Sequence, residues 1–298
     1  MLANVSPEVA RALEQNQPVV ALETSVLAQG LPYPENLEAA RTCEEAIRRH
    51  GAIPAAIGLI DGEVRVGLSS GEVRRLAGGQ GLLKVASRDL AWARMKKVSG
   101  GTTVSATCEL AATVGIRVFA TGGIGGVHRD AAELMDVSQD LLAISKSPVA
   151  VVCAGAKSIL DLPNTLELLE ALAVPVVGVG TSEFPAFYVR GSGLTLEQRV
   201  ETPQEAAGLM KIRFQDFGQG GMVFALPPPE DTSLPRDEVE EALAAALVEA
   251  KARGVRGKAL TPFLLRALSS KTGGRTLRAN VALLTHNAAF AAAVANCA

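Results

Sequence analysis

The chain lacks any long run of charge of one sign. Its 298 residues carry 29 basic and 31 acidic side chains, a net charge of -2, with no basic stripe. That balance argues against a nucleic-acid polymer or a membrane surface as partner and for a small-molecule ligand. It lacks a Cys-x-x-Cys pair: Cys43, Cys108, Cys153 and Cys297 are scattered, and no secretory apolar segment is read at the N-terminus. The four cysteines therefore read as buried thiols of a cytoplasmic protein. No apolar stretch of about 18 residues escapes interruption by Gly, Pro or charge, so no membrane-spanning helix is expected. His-Glu-x-x-His, Gly-x-Ser-x-Gly, internal repeats and low-complexity tracts are absent as well. What the chain does have is 48% hydrophobic residues over a length that suffices to bury about 75% of the unfolded chain's surface.

Apolar β-type runs alternate with helical patterns. Gln17–Glu23 reads as a first strand and Pro34–His50 as a helix with proline in its first turn. Ala52–Ile60 and Val64–Leu68 flank Asp61-Gly62, a hairpin signal. A helix Ser105–Val114, strands Ile116–Ala120 and Val149–Cys153, a helix Ser158–Leu172 and a strand Val174–Val179 follow. Then come a helix near Pro203–Phe217, a strand Gly221–Leu226, and helices within 235–253, 260–269 and 276–295. Pro227-Pro228-Pro229 is the best linker candidate, and the helical part beyond it is expected to pack back on the sheet. The expectation is an α/β fold: three layers, α/β/α, with a mixed, mostly parallel central sheet and a helical C-terminal part packed on it, one domain over residues 1–298.

Several polar residues fall where those strands end. The run Val149–Cys153 stops at small residues and Lys157 follows, so its amine is aimed at the C-terminal edge of a sheet, where open α/β sheets keep their ligands. Partly desolvated and at the positive end of a helix dipole, such a lysine suits a nucleophile, although a solvated surface lysine explains it too. Glu23 closes the first strand at a half-buried position that suits a general acid, or a capping or ion-paired glutamate. Thr121 closes Ile116–Ala120 just before Gly122-Gly123-Ile124-Gly125-Gly126, so three strand ends converge on one rim. That glycine loop is not a dinucleotide fingerprint, because His128 stands where the third glycine is required. It can still bring amides to an anion or a sugar, or be only a tight turn. Gly100–Thr107 runs into a helix with small hydroxyl residues, which fits a phosphate at the helix start or simple capping by Thr103 or Ser105. Asp136 and Asp140 share one face if their segment is helical, and hard oxygen ligands of that kind suit Mg²⁺ or Mn²⁺; an N-cap by Asp136 or Ser138 explains them equally. Lys84 and Asn280 are lone polar groups in apolar surroundings, read by themselves as structural hydrogen bonders. His50 and His286 have no identifiable partner in the sequence.

Taken in order, the blocks Ala21–Ser25 with Gly30-Leu31-Pro32, Lys84–Leu90, Gly100–Thr107, Ala120–Arg129, Asp136–Leu141, Cys153–Ser158 and Asn280–Leu283 resemble the pseudouridine-5'-phosphate glycosidase, or indigoidine synthase A-like, family. They extend from about residue 18 to 290. One departure is Ala28-Gln29-Gly30, where the family often has Ser/Thr-His-Gly. The resemblance implies Lys157 as covalent nucleophile and Glu23 as proton donor. It implies Asp136 as the holder of one divalent ion per subunit, Mn²⁺ or else Mg²⁺. Lys84, Val104, Ser138, Gln139 and Asp140 would line the substrate pocket, and His128 and Asn280 match further pocket positions. Thr103 and Thr121 join them as candidate substrate contacts from their places at a helix start and a strand end. The implied activity is reversible cleavage of pseudouridine 5'-phosphate to uracil and ribose 5-phosphate through a lysine Schiff base, in a homotrimer. Two alternatives use the same residues: a Schiff-base sugar-phosphate aldolase or lyase, which needs no uracil, and a non-catalytic sugar-phosphate-binding protein, which needs no acid opposite the amine.

Overall fold

The computed structural model describes residues 3–129, 135–255 and 260–298. Its strands are β1 Asn4–Val5, β2 Val19–Leu22, β3 Ile53–Ile60, β4 Glu63–Val66, β5 Leu83–Val85, β6 Gly100–Thr102, β7 Val118–Ala120, β8 Val127–His128, β9 Ala150–Cys153, β10 Leu160–Asp161, β11 Val176–Val179, β12 Gln198–Val200 and β13 Met222–Ala225. The main sheet runs β1-β4-β3-β2-β7-β9-β13-β11-β12, with β6 and β5 branching from β3. Neighbours are parallel from β3 to β12, and within this sheet antiparallel pairing is confined to β3–β4 and β3–β6; β8 and β10 form a separate antiparallel pair. The sheet is therefore mixed and mostly parallel, as the alternation of strand and helix patterns leads one to expect.

Why these short runs become central strands follows from their composition. β2, β7, β9 and β13 read VVAL, VFA, AVVC and MVFA and are buried at every position. Such runs have no polar face to turn to water, so they are stable only with helices on both sides. The long helix Arg275–Cys297 supplies one cover, packing on β2, β7 and β9 beside helices Glu35–Arg49 and Pro203–Lys211. Helices Val104–Thr113 and Gln139–Lys146 pair with each other, the former also packing on β2 and β3. The helical C-terminal part is thus part of the sheet's cover. Buried apolar side chains from Val9 to Val294 belong to one continuous cluster, so the Pro227–Pro229 stretch does not interrupt the core. Among the described residues no helix is long and apolar enough to cross a membrane.

Two differences from the sequence reading bear on function. The helix expected from Ser158 begins at Leu162: Asp161 is its N-cap, accepting from the Asn164 amide at 3.1 Å, and Pro163 sits in the first turn. Leu160 and Asp161 instead pair antiparallel with Val127 and His128. Lys157 consequently lies ahead of the helix, at the start of a turn in which the Leu160 amide donates to its carbonyl at 3.0 Å, and the helix-dipole argument for its amine does not apply. The segment between β4 and Gly100, largely unassigned from sequence, holds helix Ser70–Gly78, β5 and helix Leu90–Met95. The first of these carries a legible start signal, a capping box in which Ser69 and Glu72 satisfy each other's backbone amides.

The sheet also divides where β2 ends. Val19–Leu22 pairs with the first half of β3, and β6 then lies against Gly58 and Leu59 in its second half. The chain leaving β2 at Glu23 is pinned there: the Thr24 amide donates to the Thr102 carbonyl at 3.2 Å, and the Thr24 and Thr102 hydroxyls both donate to the Ile57 carbonyl at 2.6 Å.

Gly155 is the tightest point near Lys157. Its φ is +77°, and a Cβ there would lie 2.0 Å from the Pro185 carbonyl oxygen. Replacing Gly155 with Ala is expected to cost about 2–4 kcal/mol in urea-unfolding stability, from left-handed strain plus overpacking. A variant as stable as the parent would show that this turn is not constrained as described.

Candidate active site

Past the ends of β7 and β9 the two chains stay paired. The Thr121 amide donates to the Val152 carbonyl at 3.0 Å, Ala154 to Gly122 at 2.8 Å, Ile124 to Gly155 at 3.1 Å, and Lys157 to Ile124 at 3.1 Å. This extension carries Lys157 out along the glycine loop to the rim where Glu23 leaves β2. The Glu23 carboxylate is held at both oxygens, by the Ser25 hydroxyl on one and the Thr121 hydroxyl on the other. Behind Thr121, Asn287 of the long C-terminal helix donates from Nδ2 to the Thr121 carbonyl at 2.8 Å. Lys157 is half-buried, and among the described residues no hydrogen bond or ion pair reaches its amine.

Glu23 and Lys157 line the same two adjoining cavities. One is a polar cleft of about 240 Å³ whose wall includes Lys84, Thr103, Val104, His128 and Asp136. The other is a small, mainly apolar cavity of about 50 Å³ formed by Val26, Gln29, Phe187, Leu284 and Asn280 among others. Glu23, Ser25, Lys84, Lys157 and Thr261 belong to both. A wider groove of about 620 Å³ lies on the far side of Gln29 and Asn280, which it shares with the apolar cavity.

Most of the residues singled out from sequence meet here, but not all in the expected way. Thr121 is 1% exposed and lines neither cavity; its hydroxyl is spent on Glu23. Asp136 and Asp140 do not share a helical face, because Ser138 is the N-cap and the helix begins only at Gln139. Asp136 stays on the cleft wall. Asp140 turns inward, its two oxygens accepting from the Ser105 amide at 2.9 Å and the Gly125 amide at 2.8 Å. It thereby ties the glycine loop to the start of helix Val104–Thr113, and those two amides are not available to a ligand. Glycine is needed at 125 for this approach, since a Cβ would stand 2.3 Å from the Ser138 hydroxyl. The Thr103 hydroxyl is 2.9 Å from that of Ser105 rather than capping the helix. Gln139 accepts the Arg88 amide at 3.2 Å, linking the segment after β5 to the cleft.

Asn280 is 6% exposed and lines the apolar cavity, and among the described residues its side-chain amide makes no hydrogen bond. The reading of it as a structural hydrogen bonder is therefore overturned. Among the described residues no group of three or more His, Cys, Asp or Glu side chains is arranged to hold a metal ion. Cys43, Cys108 and Cys153 are buried, whereas Cys297, read as buried from the sequence, is exposed. The buried thiols beside the site add no competing nucleophile: burial pushes Cys153 up to about 12 against smaller pulls from backbone hydrogen bonds of Gly155 and Ile124 and, last, from the Lys157 charge, and burial likewise raises Cys108.

Sequence reasoning missed Ser25, Gln29, Arg88, Phe187 and Thr261 on these walls. Ser25 had a signal, standing two residues beyond Glu23. Phe187 and Thr261 had none, because they come from a loop and a helix start whose placement is set by tertiary packing.

A sequence model of indigoidine synthase A like proteins matches residues 8–297. The chain is 62% identical to the pseudouridine-5'-phosphate glycosidase of Myxococcus xanthus (strain DK1622), over 97% of this chain and 96% of that one. It is 48% identical to the enzyme of the same name from Staphylococcus aureus (strain MW2), over 97% and 94% of the two chains. Among solved structures, the prealnumycin C-glycosynthase in complex with ribulose 5-phosphate superposes with a TM-score of 0.90 at 37% identity, covering 99% of this chain and 97% of the other. An indigoidine synthase A-like protein of Thermotoga maritima MSB8 superposes with a TM-score of 0.87 at 39% identity, over 94% and 93%.

Replacing Asp140 with Ala strands two backbone amides and is expected to cost about 3 kcal/mol or more, while Asp140→Asn, which keeps one acceptor, loses about 1–3 kcal/mol. Urea unfolding of both variants checks the order; equal stability of Ala, Asn and parent would remove the tie.

Proposed function

The chain belongs to the indigoidine synthase A-like family, and from that membership we propose that it is a pseudouridine-5'-phosphate glycosidase, cleaving the C-glycosidic bond to give uracil and ribose 5-phosphate. The observation that carries the reading is the meeting of an amine and a carboxyl group at the boundary of a polar and an apolar cavity. The polar side suits a sugar phosphate: Lys84, Arg88 and Thr103 put two cations and a hydroxyl on its wall. The apolar side suits a flat base, with Phe187 and Leu284 against it and Asn280 presenting an unpaired amide.

The bond to be broken joins two carbons, ribose C1' and uracil C5, so departure of a nitrogen leaving group between two carboxylates is a poor description. Glu23 protonates the ring oxygen and the C1'–O4' bond opens, leaving C1' electrophilic and conjugated to the base. The Lys157 amine adds to C1'. Protonation at C5 then lets the C5–C1' bond break while the lysine nitrogen supplies the electron pair, and water hydrolyses the resulting iminium to ribose 5-phosphate. Ser25 and Thr121 hold both oxygens of Glu23 and fix the direction of its carboxyl group. No ion-pair partner among the described residues competes with the substrate for the Lys157 amine.

Asp136 fits a divalent ion of the hydrated kind. Its carboxylate is the one on the polar cleft that accepts no hydrogen bond among the described residues, whereas those of Glu23 and Asp140 are occupied. Mn²⁺ or Mg²⁺ that keeps most of its waters needs only one or two carboxylates together with phosphate oxygens. When bound, the ion supplies positive charge on the phosphate side of the cleft.

Incubation with ribose 5-phosphate and borohydride is expected to fix one reduced sugar on the protein, at Lys157, as read by peptide mass. A modified protein whose Lys157 peptide is untouched rules out the covalent step, and no ultraviolet-absorbing base released from pseudouridine 5'-phosphate rules out the substrate. For the metal, chelation is expected to abolish turnover and Mn²⁺ to restore it, with Asp136→Asn needing about tenfold more ion. Full activity of a metal-free preparation defeats that part of the proposal.

A further inference from the structure

The apolar cavity holds a polar group, Gln29, to which the reaction as written gives no task. Gln29 sits in the one-turn π-type helix Val26–Gly30 that follows β2. Its Nε2 donates to the Leu82 carbonyl at 3.0 Å. Only the nitrogen end of the amide can face that oxygen, so the orientation of the group is set by its anchor. The other end, Oε1, is shut off from bulk water and receives no hydrogen bond among the described residues. A buried acceptor without a donor is destabilising, and on a residue that borders a ligand cavity its natural complement is a donor on the ligand. Gln29 lines the cavity together with Asn280, Phe187 and Leu284, which is the side given to the base above.

We infer that Gln29 reads the nucleobase, its Oε1 accepting the N1–H of the uracil ring. This rests on the glycosidase reading. Pseudouridine has a hydrogen on N1 because C5 carries the ribose, and uridine has none, so the contact selects the C-glycoside. It also lies where charge develops. On ring opening the N1 lone pair moves through C6 and C5 to make the C5=C1' double bond, as the C1'–O4' pair leaves to the oxygen that Glu23 protonates. N1–H is then positive until Lys157 adds to C1' and the pair returns to N1. A fixed carbonyl oxygen in a water-poor cavity favours that charged arrangement over the neutral ground state.

The test compares pseudouridine 5'-phosphate with its N1-methyl derivative. In the unaltered protein, methylation is expected to lower kcat/KM by about tenfold or more. Gln29→Met is expected to lower kcat on the unmethylated substrate by about 10- to 100-fold and to shrink the methyl discrimination to about twofold or less. Borohydride capture of ribose 5-phosphate at Lys157, which involves no base, reports that the variant is folded. Capture retained with discrimination unchanged overturns the role of Gln29 while leaving the glycosidase reading intact. Absence of uracil release by the parent protein overturns both. Should Gln29→Met not fold, equal turnover of the two substrates by the parent is by itself enough to overturn the role.

Discussion

The site depends on two parallel strands that do not part when the regular sheet ends. Backbone hydrogen bonds from Thr121 to Val152 through Lys157 to Ile124 make the glycine loop and the chain after β9 one stiff ribbon. Lys157 is carried on that ribbon rather than on a free loop, so its stem starts from a fixed point. Glu23 reaches the same rim from the next strand over, β2, through a backbone tied to Thr102 and Ile57. The amine and the acid therefore owe their relation to sheet order, β2 beside β7 beside β9.

Around this pair the polar groups fall into two sets. Glu23 and Asp140 have every carboxylate oxygen engaged by protein hydroxyls or amides, which orients the first and makes the second a structural strut. Asp136, Asn280 and the Oε1 of Gln29 accept or make no such bonds among the described residues. Buried or cleft-lining polar groups are ordinarily satisfied. Leaving three of them unsatisfied within one pair of adjoining cavities concentrates the unmet hydrogen-bonding capacity where a ligand with phosphate, sugar and base would meet it.

Much of this was legible in the amino-acid sequence, for physical reasons that differ by residue. Lys157 and Glu23 could be found because wholly apolar runs ending in a single polar group are the mark of parallel strands, and such strands end on one rim. The helix start after Lys157 was misjudged by four residues because local pairing of Leu160–Asp161 with Val127–His128 overrides a helical pattern. Asp136 and Asp140 looked like a pair because their spacing matches a helical turn, yet the Ser138 cap places one before the helix and one inside it. Gln29 stood out only as a departure from the related sequences. Its unmatched oxygen depends on Leu82, more than fifty residues away, and no spacing rule connects the two.

The two residues proposed to carry the chemistry come from stretches separated by more than a hundred positions, Glu23 at one end and Lys157 at the other, with the strand leading to Thr121 laid between them. Parallel neighbours of this kind cannot form by a local hairpin and must wait for crossover segments to be in place. A partly ordered chain accordingly has either the amine or the acid but not their juxtaposition. Catalytic competence should thus emerge only at closure of the sheet, with no weakly active precursor along the way.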